Sequence, residues 1–106
     1  MRPYKLPNAA ASQLTVTGTA ASLQSLITTA ASEDYIIPTE VDSVDLYVES
    51  VGIRLLAEGN TPTAALGIPV ASGESIKLKG IDASKLQLIS IGANATVSVQ
   101  IGQRII

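Results

Sequence analysis

Carboxylates are the first residues to test for chemistry, because this chain has no histidine and no cysteine. Without them it lacks the usual general base near neutral pH, a thiolate nucleophile, the commonest metal ligand and the centre of a serine or cysteine triad. Glu33-Asp34 is the one adjacent acidic pair, and neighbours along an extended chain point to opposite sides, so it reads as a solvated loop. Glu40, Asp42 and Asp45 could offer oxygens to calcium, which needs six to eight of them, but their spacing matches no calcium loop. Gly59-Asn60-Thr61-Pro62-Thr63 has the look of a phosphate loop, yet it lacks the Gly-Lys-Ser/Thr ending. Serines and threonines are plentiful, and none has a base to activate it. Lys77, Lys79 and Lys85 are too dispersed to form a phosphate-binding cluster and read as a solubilising face. This inventory predicts a non-enzyme with no cofactor and no metal. The net charge of −2 predicts no nucleic-acid partner.

The elements that would carry these residues are strands. The 106 residues fit one domain, and folding at that size hides roughly 65% of the unfolded surface. With no Phe and no Trp, the core must come from Val, Ile, Leu and Ala, helped by three Tyr. β-Branched residues dominate the longer runs, which favours a pleated surface. Gln13–Gly18 alternates and ends at glycine. In 44–50, Val44, Leu46 and Val48 face one way, and Asp45, Tyr47 and Glu49 the other. Gly52 then offers a turn, with Ile53–Ala57 expected as the hairpin partner. Ser75–Lys79 alternates with its lysines on the wet face. Asp82 is placed to cap a short turn, and Leu86–Ile91 follows, turned back at Ala93-Asn94. Thr96–Ile101 presents Val97, Val99 and Ile101 inward. Tyr35–Pro38 reads as a brief extended run. Leu23, Leu26 and Ile27 have helical spacing, but Thr28 and Thr29 hold the expectation to a single irregular or helical turn.

Seven or eight short strands punctuated by Gly, Pro or Asn predict an all-β fold, an antiparallel β-sandwich of jelly-roll or Ig-like type, with a small barrel as runner-up. Residues 1–12, with Pro3 and Pro7, read as an extended N-terminal arm, and 13–106 as the single sandwich domain. Tyr4 and Leu6 are the apolar anchors such an arm would use. The tail Arg104-Ile105-Ile106 is apolar enough to favour burial at an interface or as the end of the last strand. No segment suggests a signal peptide or a membrane span, so synthesis in the cytosol and no membrane partner are expected.

Three pieces resemble a group of small tailed-phage proteins associated with virion structure. They are Ile53-Arg54-Leu55-Leu56 running into Glu58-Gly59-Asn60-Thr61-Pro62-Thr63-Ala64, Ala71–Ile76 before Gly80, and the closing Ala95–Gln100. The resemblance spans about Asp45 to Gly102, and aliphatics stand here where that group often carries aromatics. It implies a virion β-sandwich that decorates or cements the capsid exterior or sits on a fibre. Expected partners are the major capsid protein and sister copies in a homo-oligomer, for which a trimer would suit local capsid symmetry. The alternatives are a fibre or tail module that recognises a host and a head–tail joining protein.

Overall fold

A computed structural model describes residues 2–104. Its strands are β1 (Arg2–Pro3), β2 (Gln13–Val16), β3 (Ala21–Ser22), β4 (Ser43–Ser50), β5 (Ile53–Leu56), β6 (Ile68–Val70), β7 (Ser75–Lys79), β8 (Gln87–Ser90) and β9 (Ala95–Gln103). One helix, α1 (Leu23–Ala31), lies between β3 and β4. Two antiparallel sheets pack face to face, one ordered β2-β9-β4-β7 with β1 also on β9, the other β3-β8-β5-β6.

The pairings nest. First pairs with last, β2 with β9, then β3 with β8, β4 with β7 and β5 with β6. Such a ribbon of four nested pairs, rolled so that β9 meets β4 and β8 meets β5, is a jelly roll. The sandwich expectation holds, and the strand order selects jelly roll over the Ig-like arrangement.

Alternation does the local work. Val44, Leu46 and Val48 on β4 and Ala95, Val97, Val99 and Ile101 on β9 are buried together, while Tyr47, Glu49 and Gln100 face out. Ile53 and Leu55 on β5 and Leu88 on β8 line the opposite inner face. Lys77 and Lys79 are exposed on β7, as their alternation predicts.

The expected β4–β5 hairpin is not formed. β5 lies in the opposite sheet, paired with β6 and β8, so Val51-Gly52 is a corner between layers and not a hairpin turn. A register shift between Val48 and Ser50 bends β4 toward that corner, and Val51 adopts a left-handed φ of 60°. A Cβ at Gly52 would sit 2.8 Å from the tip of the exposed Ile91 side chain, which would have to turn aside. Likewise, 91–94 carries the chain from one sheet to the other and does not fold β9 back on β8.

The helix is longer than the single turn expected, and it is a regular α-helix. Nine residues are too few to hold a helix alone in water. The Ser22 side chain caps it by accepting the Ser25 N–H at 3.1 Å, worth about 1 kcal/mol. Burial of Leu23, Leu26 and Ile27, at about 1.5–3 kcal/mol each, outweighs the cap and the weak propensity of the two threonines. Thr28 also gains a partner, donating to the Tyr35 carbonyl at 3.2 Å. Tyr35–Pro38 is loop and not strand. Gln24 holds it, donating to the Tyr35 carbonyl and accepting the Ile37 N–H at 2.7 Å.

The two ends of the sandwich differ in charge. Residues 17–20, 51–52, 71–74 and 91–94 form one end, tied by Ser90 N–H to Thr17 O at 2.8 Å and Ile91 N–H to Gly52 O at 3.1 Å. Glu74 is the one ionisable side chain in those four loops. The loops of the opposite end hold Glu33, Asp34, Glu40, Asp42, Glu58, Asp82 and Lys85.

Leu88 is fully buried at the centre of the second sheet, between Ala21 and Leu55. Leu88→Ala is expected to cost about 2–5 kcal/mol, measured as a lowered midpoint of denaturant unfolding with an unchanged slope.

Candidate functional site

An antiparallel sheet exposes unpaired backbone at its edges, and proteins blunt such edges with proline, lysine or a covering segment. Pro69 on β6 has no N–H to offer, and Lys77 and Lys79 stand on β7, so one side of the sandwich is blunted by both devices. On the other side β3 is two residues long, and α1 packs beside β2. The exception is a stretch of β9.

Both β1 and β2 pair with the same edge of β9, with Pro3 opposite Gly102 and Gln13 opposite Ser98. Gly102 to Ser98 is four steps on β9, while Pro3 to Gln13 is ten on the edge, leaving six surplus residues. The surplus is thrown out as a 3-10 turn over Ala9–Ser12. Asn8 builds that turn. Its Oδ1 accepts the Ala11 N–H at 3.2 Å, and its Nδ2 donates to the Ala31 carbonyl at the end of α1 at 2.9 Å. Ala11 is buried in the core. The ladder is thus broken opposite Val99 and Gln100, and a hollow of about 590 Å³ opens there. Tyr4, Lys5, Leu6, Asn8, Ala9 and Ser12 line it with them.

The structure brings Tyr4 and Leu6, the two anchors expected from the sequence, together at this hollow. Both are half-buried and rest against the core, and the Tyr4 N–H donates to the Ile101 carbonyl at 2.9 Å. Burial, and then the neighbouring Glu40 carboxylate, push the Tyr4 hydroxyl pKa above its ordinary value. Residues 2–12, read as an arm, lie along the edge of their own sheet in this chain, and Asn8 and Ala11 are built into the domain.

Arg104 is not at the hollow. Its backbone N–H donates to Asp42 Oδ1 at 2.8 Å and its Nε–H to Oδ2 at 3.0 Å. Asp42 in turn gives its N–H to Gly102 O at 3.1 Å and takes the Gly80 N–H at 2.8 Å. One residue therefore joins the start of β4, the end of β7 and the end of β9. The other two tail residues named from the sequence, Ile105 and Ile106, lie outside the described residues.

Asp42, weighed from the sequence as a calcium ligand, is instead this clip. Asp45 stands apart on β4, opposite Lys77 and Gln100. Among the described residues no group of three His, Cys, Asp or Glu could hold a metal ion, and no helix is long and apolar enough to cross a membrane.

A second surface is the connection from β5 to β6, the segment Glu58–Ala64 on which the resemblance rests. Thr63 and Leu66 exchange backbone hydrogen bonds of 2.9 and 3.2 Å around a tight turn. Arg54 staples that turn to the sheet, Nε–H donating to Ala64 O at 3.2 Å and Nη1–H to Gly67 O at 2.8 Å. Gly67, at φ 130°, is forced by close approach, since a Cβ would lie 3.1 Å from Leu55 O. The turn presents Leu66, 61% exposed, next to Ile68 at 47%.

No family model, curated protein or solved structure matches this chain. Its functional reading therefore stands on these two surfaces and the topology that carries them. Sequence reasoning missed Asn8, although an Asn before Ala-Ala-Ala-Ser is a capping signal. It also missed the break at Val99–Gln100, which exists only once the registers of β1 and β2 are known.

The Asp42 carboxyl is held below its ordinary pKa, first by the Arg104 backbone N–H and then by the guanidinium, against an opposing effect of burial. A depressed folded-state value means the clip stabilises above the ordinary carboxylate range and is lost as pH falls through the folded value. Asp42→Asn should therefore lower the unfolding midpoint at neutral pH, with the difference from the parent shrinking as pH falls below the ordinary carboxylate range. Thermal melts across that range check it. Arg54→Ala should free the 59–67 turn at a cost of about 1–2 kcal/mol, read as faster amide exchange confined to that segment.

Proposed function

We propose that this chain is a non-enzymatic virion structural protein that decorates or cements the outer surface of a tailed-phage capsid. The observation that carries the reading is the topology. Eight strands in two Greek-key layers recur in viral capsid domains, in lectins and in cupins. The side chains separate the three. A cupin-type metal site draws on histidine ligands for a single ion, and this chain has no histidine. A sugar site wants an aromatic platform set in a concavity. Tyr47 is the one exposed tyrosine, and it stands on the outer face of β4 between Ser75 and Ser98 of the flanking strands. What remains is a sandwich whose features are surfaces.

Charge supports an exterior position. A protein meeting packaged DNA gains from clustered Lys and Arg, which release counterions from phosphate. Here the net charge is −2 and the cations are scattered. The resemblance of Ile53–Ala64, Ala71–Ile76 and Ala95–Gln100 to tailed-phage virion proteins points the same way.

Quantitative mass spectrometry of purified particles of the encoding phage, with imaging of the same particles, tests the reading. The expected result is on the order of hundreds of copies per particle in an icosahedral array. A handful at a single vertex would replace decoration with a tail or connector role. Absence from the particle would overturn the virion reading.

A further inference from the structure

The break in the β9 ladder and the way residues 2–8 are held point to a partner for this edge. We propose that Arg2–Leu6 exchanges between copies, so that the segment of one chain seats on the β9 edge of another beside Gln103–Val99. This inference rests on edge geometry alone and does not depend on where the protein resides.

Four observations carry it. The segment is weakly tied to its own domain: β1 is two residues long, and Tyr4 N–H to Ile101 O is its one further backbone bond among the described residues. The chain beyond it is firmly tied, because Asn8 is bonded both to the Ala9–Ser12 turn and to the end of α1. Pro7 lies between the loose and the fixed parts, so a hinge there moves residues 2–6 and nothing else. Pro3 and Pro7 also pre-set φ, which lowers the ordering cost when the segment docks.

The third observation is the fit. The groove accepts this segment, since Tyr4 and Leu6 already rest against the core from it. The fourth is the surplus. Within one chain, the path from Tyr4 must leave β9 to reach β2 on the same edge, and the hollow opposite Val99 and Gln100 results. A segment arriving from a second copy returns through Pro7 to its own Asn8, and not to the β2 that shares this edge. Continuing the register of Pro3 opposite Gly102 would set Lys5 opposite Gln100 and Leu6 opposite Val99. The ladder would then be closed across the break and the hollow filled. Exchange of an identical element costs little, because the contacts made in trans replace the same contacts broken in cis.

The absence of cysteine makes the test unambiguous. Arg2 and Gln103 are direct antiparallel partners, at a separation a disulfide can span. Purified Arg2→Cys and Gln103→Cys chains are mixed, refolded together and oxidised. Exchange predicts a covalent dimer with one chain of each kind, several-fold above the dimer either variant forms alone. It also predicts that the double variant yields linked dimers beside internally closed monomers. No excess of mixed dimer, with the double variant closing wholly within single chains, would overturn the proposal. Light scattering supplies a second reading that needs no substitution. The full chain should run as an oligomer between micromolar and millimolar concentration, and a chain lacking residues 1–7 should run as a monomer with its strand spectrum kept. The same mass with and without the segment would sink the exchange, wherever the protein proves to reside.

Discussion

Strand β9 is the member on which the rest of the sandwich depends. Its inner face gives Ala95, Val97, Val99 and Ile101 to the core, and its two edges serve β4 on one side and β2 with β1 on the other. A buried strand backbone left without partners costs about 1–3 kcal/mol per group, so both edges of β9 are occupied along most of their length, the break at Val99–Gln100 excepted. The first strands of the chain and a middle one meet that demand. Because β9 comes last, no local set of contacts can complete the first sheet. The β2–β9 pairing spans nearly the whole sequence, and such non-local closure is the slow step expected of sandwich topologies. The Asp42 clip lies where this closure ends, tying β9 to the start of β4 and the end of β7.

The inward faces were legible because alternation with period two is a direct consequence of the pleat. Val44, Leu46 and Val48 and then Val97, Val99 and Ile101 could be placed without any partner being known. Pairing was less legible. A glycine between two alternating runs signals a change of direction, and a hairpin and a layer-crossing corner share that signal. At Val51-Gly52 the corner wins because β4 carries an irregularity at Val48–Ser50 and because β5 finds its partners, β6 and β8, in the other sheet. Neither feature is local in sequence. The helix was underread for a related reason. Propensity penalises Thr28 and Thr29, whereas the burial of Leu23, Leu26 and Ile27 and the Thr28 bond to Tyr35 O are tertiary and larger.

The candidate surface divides the same way. Tyr4 and Leu6 stood out as apolar side chains on a proline-marked terminus, and they line the hollow. The hollow itself could not be read from the sequence, since it arises from a difference of two registers on one strand. Arg104 shows the opposite case. Its position in an apolar tail suggested an interface, while its partner, Asp42, lies 62 residues away and is recognised only by the folded chain.

The placement of protective residues gives these observations a common logic. Pro69 and the lysines of β7 guard the β6–β7 side, where a flat strand edge would otherwise invite indiscriminate pairing. Near-absence of charge at the end formed by 17–20, 51–52, 71–74 and 91–94 permits close approach to a neighbour there, with desolvation of one carboxylate as the main cost. Among the described residues, Val99–Gln100 is a stretch of an interior strand whose edge has no strand partner. An unguarded backbone segment is a liability in any monomer, and six surplus residues are an inefficient cover for it. The arrangement makes physical sense if that short stretch is reserved for a specific strand. The guarded edges then restrict pairing to it, and the specificity comes as much from the contacts forbidden elsewhere as from the one allowed.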